Sequence, residues 1–210
     1  MTRNSESKEV AVIALPRKDD RFDQISIFLH WLTALLIVVQ FVSIWAREAV
    51  DHQSDLAAAL LTLHRSMGLS TWIVVVARLC WRRYFAYLPP FPQNMPGFQQ
   101  IIAKANEYGL YILLLAMPIT GLARVVLRGQ PFELFVWQVP ALLESDPAMR
   151  SLFVEAHAIG AKALMALIGL HAGAALFHRL VLRDSVLQRM LPRRPARAKV
   201  PAILARSRAE

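Results

Sequence analysis

The stretch LFVEAHAIGAKALMALIGLHAGAALFHRLVL, residues 152–182, decides the reading of this chain. It is mostly apolar and longer than the roughly 20 residues that carry a helix across a ~30 Å hydrocarbon core. It therefore predicts a transmembrane helix that tilts or runs past the membrane. Three histidines interrupt it, and two of them, His157 and His171, lie within the depth of the hydrocarbon. At ~100° per residue, their fourteen-residue separation comes within ~40° of four full turns. Both imidazoles then share one helix face, about 21 Å apart along the axis. Ionisable groups inside a span are costly and by default mark function.

Three more segments have spanning length and apolarity: 25–46, 60–81 and 108–127. Pro118 lies in the last and is expected to kink it. Only the first and third spans are cleanly apolar, because the second carries Arg65 and Arg78 and the fourth Glu155 and Lys162. Composition agrees. Of 210 residues, 56% are apolar and 19% charged, against about 45–50% and 25% in an average soluble domain. Mean hydropathy is +0.38. The formal charge is +9, but in so apolar a chain basic residues collect in membrane-flanking loops and do not argue for nucleic acid as a partner. The single cysteine, Cys80, excludes an intramolecular disulfide framework and a multi-cysteine zinc or iron–sulfur site. Residues 1–24 are polar, so no secretory signal is expected.

The fold class expected is all-α, an integral membrane four-helix bundle. A polar arm (1–24) precedes the four-helix region (25–182), and a basic tail (183–210) follows it. The tail after Pro192, rich in Arg, Pro and Ala, is expected to be disordered. Pro89, Pro90, Pro92 and Pro96 make the second connection extended. Phe132, Phe135 and Trp137 suggest that residues 131–143 lie flat at a membrane interface. Seventeen Lys/Arg fall in the arm, the 82–107 linker and the stretch from Arg179 onward, against three (Arg47, Arg128, Arg150) in the other two connections. The positive-inside rule then places both termini in the cytoplasm.

Depth sorts the histidines. Measured from the middle of its span, His30 sits about 9 Å to the cytoplasmic side, and so does His171. His64 and His157 sit about 10–12 Å to the outer side. Two pairs at matching depths suit two planar iron porphyrins stacked along the membrane normal, each gripped between α-helices of a bundle core. Zinc fits poorly, because neither pair has nearby cysteines or carboxylates to complete a tetrahedral set. The chain has no C-x-x-C-H motif, so the haems would be non-covalent, b-type groups. His178 falls beyond the hydrocarbon beside Arg179 and Arg183, which suggests headgroup contact, and His52 lies in an outer connection; both read as non-ligands. Arg78 lies at the depth of the inner pair and Arg124 at that of the outer pair. Two readings stand for these arginines, bidentate partners for haem propionates or side chains snorkelling to the interface.

The motifs around these positions are I-S-I-F-L-H-W at 25–31, H-R-S-M-G-L at 64–69 and A-R-L-C-W-R at 77–82. They continue with M-P-I-T-G-L at 117–122, R-G-Q-P at 128–131, E-A-H at 155–157, and H-A-G-A-A-L-F-H-R-L-V-L-R-D-S-V-L-Q-R-M-L-P at 171–192. In order and spacing the chain resembles the prokaryotic cytochrome b561 family of four-helix, di-haem membrane cytochromes. The resemblance implies a multi-pass protein of the bacterial inner membrane, two haem b groups, and ligands at His30, His64, His157 and His171. It also implies electron transfer between a quinone pool and a second redox partner, with a superoxide oxidase as the best-defined member type. Some relatives carry histidines early in the third helix, where this chain has Lys104 and Glu107.

On this reading the protein passes electrons from superoxide through two bis-histidine haems to ubiquinone, as a superoxide:quinone oxidoreductase. Arg65, Arg124, Arg128, Arg150 and Lys162 are candidates to draw in the anion, ordinary loop solvation being the other reading of Arg128 and Arg150. The alternative function is a haem-relay membrane anchor for a hydrogenase or dehydrogenase partner. A third possibility, a non-redox transporter or scaffold, would leave the preparation colourless.

Overall fold

The computed structural model describes residues 21–92 and 95–192. The expectations for residues 1–20 and 193–210, including the tail after Pro192, lie outside the described residues. The element order is α1 (Gln24–Glu48), α2 (Asp55–Tyr84), α3 (Gly97–Val126), β1 (Phe132–Leu134), β2 (Trp137–Val139) and α4 (Pro147–Phe177). A π-helical turn (His178–Leu182) and a 3-10 turn (Leu187–Met190) follow α4. All four α-helices are long and apolar enough to cross a membrane.

Three helices start on side-chain caps. Asp23 accepts the Ser26 N–H at 2.9 Å, Ser54 accepts the Ala57 N–H at 3.2 Å, and Asp146 accepts the Met149 N–H at 2.9 Å with Pro147 in the first turn. These bonds satisfy donors that a helix start leaves unpaired. α2, α3 and α4 begin well before the apolar runs at 60, 108 and 152, because hydropathy marks the hydrocarbon while backbone bonding continues into the polar flanks. Pro118 sits inside α3 without ending it.

α1 packs on α2 and α3 on α4, with a lighter α2–α3 contact. The shared core is small. Val75, Leu114 and Leu164 form its buried cluster, edged by Phe41, Leu79 and Leu110. The other buried groups include Thr33, Ser43, Ser66, Thr71 and Asn106. Small and polar contacts of this kind hold membrane helices together, since lipid removes the hydrophobic reason for helices to associate. At Gly160 a Cβ would stand 2.7 Å from Met117 Sδ, so this glycine lets α4 approach α3. The large apolar side chains point outward instead: Phe28, Trp31, Leu35, Val38, Val42 and Trp45 recur at helical spacing along an exposed stripe of α1.

Two places differ from expectation. Residues 132–139 form a two-stranded antiparallel hairpin, with Phe132 opposite Val139, an element the sequence reading did not foresee. Phe135 turns the corner at φ 53°, and its N–H donates to Ser66 Oγ at 2.6 Å, fastening the hairpin to α2. His178 is buried, not set among headgroups. The chain reverses at Arg183 in the left-handed conformation, which brings Asp184 back so that His178 Nδ1 donates to its carboxylate at 2.5 Å.

Both described termini meet at one end of the bundle, here the proximal end. Trp81 Nε1 donates to Asp23 at 3.0 Å, Trp31 Nε1 to the Met190 carbonyl at 2.7 Å, and the Phe22 N–H to the Arg189 carbonyl at 3.4 Å. Asp23 thus caps α1 and ties it to α2. Burial acts to raise its carboxyl, but the bonds from Ser26 and Trp81 outweigh this and hold it below the usual range. Asp184 is likewise held low: burial opposes, and the bonds from His178 and the Val186 N–H prevail. A depressed carboxylate contributes stability that is complete above the ordinary pKa of about 3.9 and fades as pH falls through the native value. Thermal unfolding in detergent should therefore show a stability loss below about pH 4 that is shallower in Asp23→Asn and Asp184→Asn. At neutral pH, Asp23→Ala should cost about 1 kcal/mol for the lost cap.

Candidate cofactor sites

α4 makes no extensive backbone contact with α1 or α2, yet two histidine pairs bridge those gaps. His30 of α1 faces His171 of α4 with ring centroids 6.0 Å apart and planes at 55°. His64 of α2 faces His157 of α4 at 6.4 Å and 81°. The first pair lies toward the proximal end and the second toward the distal end, beside the hairpin. Two imidazoles holding one metal through bonds of about 2.0–2.1 Å, with roughly 1 Å more to each ring centre, would have centroids about 6 Å apart. Both pairs fit that spacing. Among the described residues no group of three or more His, Cys, Asp or Glu gathers into a metal cluster, so each pair stands as two imidazoles alone.

The hydrogen bonds define the protonation of the distal rings. His64 Nδ1 lies 3.0 Å from the Gln40 backbone carbonyl, which can only accept, so Nδ1 carries the proton. Thr120 spends its one hydroxyl proton on the Met117 carbonyl at 2.9 Å. Its oxygen therefore accepts from His157 Nδ1 at 3.0 Å. Both rings are left with an unprotonated Nε2, the state an imidazole ligand needs. In the proximal pair, His30 Nδ1 is buried with no partner. Gly121 makes room for the distal site: a Cβ there would come within 3.1 Å of His157 Cε1.

Each pair has its own arginine. Arg78 is an electrostatic neighbour of His30 and His171, and Arg124 of His64 and His157. Arg78 also stands over the Tyr111 ring, 5.5 Å from its centroid. At the distal end Arg65 is close in charge to Arg128, Arg124, Arg47 and Glu133, and Arg124 to Arg150 and Arg47. The Nε atoms of Arg47, Arg65 and Arg150 are buried and unpartnered. Five guanidiniums thus converge where the sequence suggested four; Arg47 joins them from the end of α1. Lys162 does not: it is exposed on α4. His52 stands 3.6 Å from Glu48, in the connection between α1 and α2.

At the proximal end Glu107 bridges Arg82 at 2.6 Å and Lys104 at 2.9 Å. A cleft beside it is lined by Phe22, Ser26, Arg78, Arg82, Tyr111 and Met190, among others, and the Tyr111 hydroxyl is buried without a partner. Sequence reasoning missed Tyr111, Thr120 and Gly121 as site residues. The Thr-Gly pair after Pro118 was visible, but only the fold shows that it meets His157.

A family model described as prokaryotic cytochrome b561 matches residues 21–193, which span all four helices and both histidine pairs. The chain belongs to the prokaryotic cytochrome b561 family. Among curated relatives, it is 28% identical to cytochrome b561 homolog 1 of Escherichia coli K12, over 83% of this chain and 99% of that one. It is 26% identical to the probable superoxide oxidase CybB of Yersinia pestis, over 83% and 97%. With cytochrome b561 homolog 2 of Escherichia coli K12 the identity is 29%, over 82% and 92%. As a member of this cytochrome b561 family it is a bacterial multi-pass membrane electron-transfer protein that binds b-type haem.

Gly121→Ala forces the His157 ring to move by a few tenths of an ångström. The purified variant should lose haem relative to wild type, read as the ratio of Soret to protein absorbance. Gly169→Ala, where a Cβ meets nothing within 4 Å, should not.

Proposed function

We propose that this cytochrome carries electrons across the bacterial inner membrane from superoxide at its outer face to ubiquinone. His64 and His157 would hold one b-type haem, His30 and His171 a second, stacked along the membrane normal. The observation that carries this reading is the pair of cross-helix imidazole contacts, one toward each end of the bundle. When bound, the haems supply one-electron carriers with no open coordination position, so chemistry is outer-sphere transfer. The protein orients the rings, buries them and sets nearby charge. The basic flanks of the proximal end support a cytoplasmic location for both termini.

The five arginines of the distal end support an anionic donor. Converging positive charge raises the encounter rate of a small anion, and salt weakens it. Glu48, 3.1 Å from Arg47, and Glu133 offset part of this charge, so a net surplus remains to act on haem propionates and incoming superoxide. Arg78 and Arg124 would serve as propionate partners. Quinone would leave or enter at the proximal cleft, where the Tyr111 hydroxyl and Arg82 offer donors to a carbonyl oxygen.

The decisive test is haem stoichiometry with reduced-minus-oxidised spectra. Wild type should bind two haems per chain. His30→Ala and His171→Ala should remove the same haem, and His64→Ala and His157→Ala the other, whereas His52→Ala should leave both. One haem per chain in fully loaded wild type would sink the two-site reading. In stopped flow, superoxide should reduce the haems at a rate that falls with salt and drops several-fold in Arg65→Gln. Haems that stay oxidised would exclude superoxide as donor and favour a partner-enzyme relay. Tyr111→Phe should slow reoxidation by a soluble quinone while leaving the haem content unchanged.

A further inference from the structure

We infer that Thr120 is a positioning residue that lowers the reduction potential of the distal haem site through His157, with the Gln40 carbonyl acting likewise through His64. The inference rests on the two-haem reading above. The observation behind it is an asymmetry between the pairs. At the distal pair both Nδ1–H groups donate, one to a backbone carbonyl and one to a hydroxyl that itself donates onward to the Met117 carbonyl. At the proximal pair His30 Nδ1 is buried and unpartnered.

An acceptor on Nδ1–H draws the proton outward and makes the opposite nitrogen a stronger donor. A more basic ligand stabilises oxidised iron over reduced iron and so lowers the potential. The Met117–Thr120–His157 chain adds to this, since linked hydrogen bonds polarise one another. The local sequence builds it. Thr120 lies one turn on from Met117 within hydrogen-bond reach of its carbonyl, and Gly121 gives the His157 ring its space. At His64, the Gln40 carbonyl is shared: Ser43 Oγ donates to it at 2.9 Å, competing with the imidazole. The distal arginines push the other way, because nearby positive charge favours the reduced iron. The distal potential is thus a balance in which Thr120 and Gln40 weigh on the low side.

The experiment is a potentiometric titration of detergent-purified, haem-loaded protein, followed optically at both haems. Thr120→Val keeps the shape and loses the acceptor. It should raise the distal potential by about tenfold in the one-electron equilibrium, or roughly 59 mV, and leave the proximal potential in place. Thr120→Ser should restore the wild-type value. Ser43→Ala, which leaves the Gln40 carbonyl to His64, should shift the distal potential downward. If Thr120→Val loses the distal haem, recovery of haem and potential in Thr120→Ser supports the assignment, and failure to recover overturns it. An unchanged distal potential, or equal shifts at both haems, also overturns it. Wild-type protein with two haems and insensitive potentials defeats this inference alone; wild-type protein with fewer haems defeats the reading beneath it.

Discussion

An imidazole placed in hydrocarbon is costly unless protein or ligand offers it polar partners, and that cost organises this protein. Water cannot satisfy a ring at membrane depth, so protein or ligand must do so. Four histidines lie at such depths, and the fold brings them together in pairs from separate helices. α4 contributes one ring to each pair. The rest of the bundle is arranged around the spaces these pairs cross: α1 closes against α2, α3 against α4, and the contacts between the two halves stay sparse.

The two ends of the bundle are built differently. Distally, guanidiniums from α1, α2, α3, α4 and the connection after α3 face one another with little acidic relief. Such mutual repulsion is unfavourable for a bare fold and is tolerated where anions complete the site. Proximally, charge is paired: Glu107 holds Arg82 and Lys104, and Asp184 holds His178. The contrast separates an end with surplus positive charge from an end whose charges are largely paired.

Much of this was legible in the chain. Hydropathy marked four crossings, and the rise per residue was enough to match His30 with His171 and His64 with His157, because depth in a membrane is nearly a linear function of sequence position. What escaped was whatever depends on contacts between elements or on polar flanks. The helix ends were set short because capping by Ser54 and Asp146 happens outside the apolar window. The hairpin went unseen because its strands have three residues each and its corner is a phenylalanine in a conformation that favours glycine or asparagine. His178 looked like a headgroup residue from Arg179 and Arg183, but the partner that matters, Asp184, returns to it only after a chain reversal. Thr120 and Gly121 lay in plain view between Pro118 and Leu122, yet their meaning required knowing which face of α4 they meet.

That α4 supplies half of both pairs has a consequence for biogenesis. Helices made early, α1 and α2, carry His30 and His64 but cannot complete a cofactor clamp by themselves. Both clamps wait for the last helix to leave the ribosome, and synthesis proceeds from the N-terminus. On the two-haem proposal, loading of both groups would be a late, post-insertion event, and a chain truncated before α4 would enter the membrane with open half-sites.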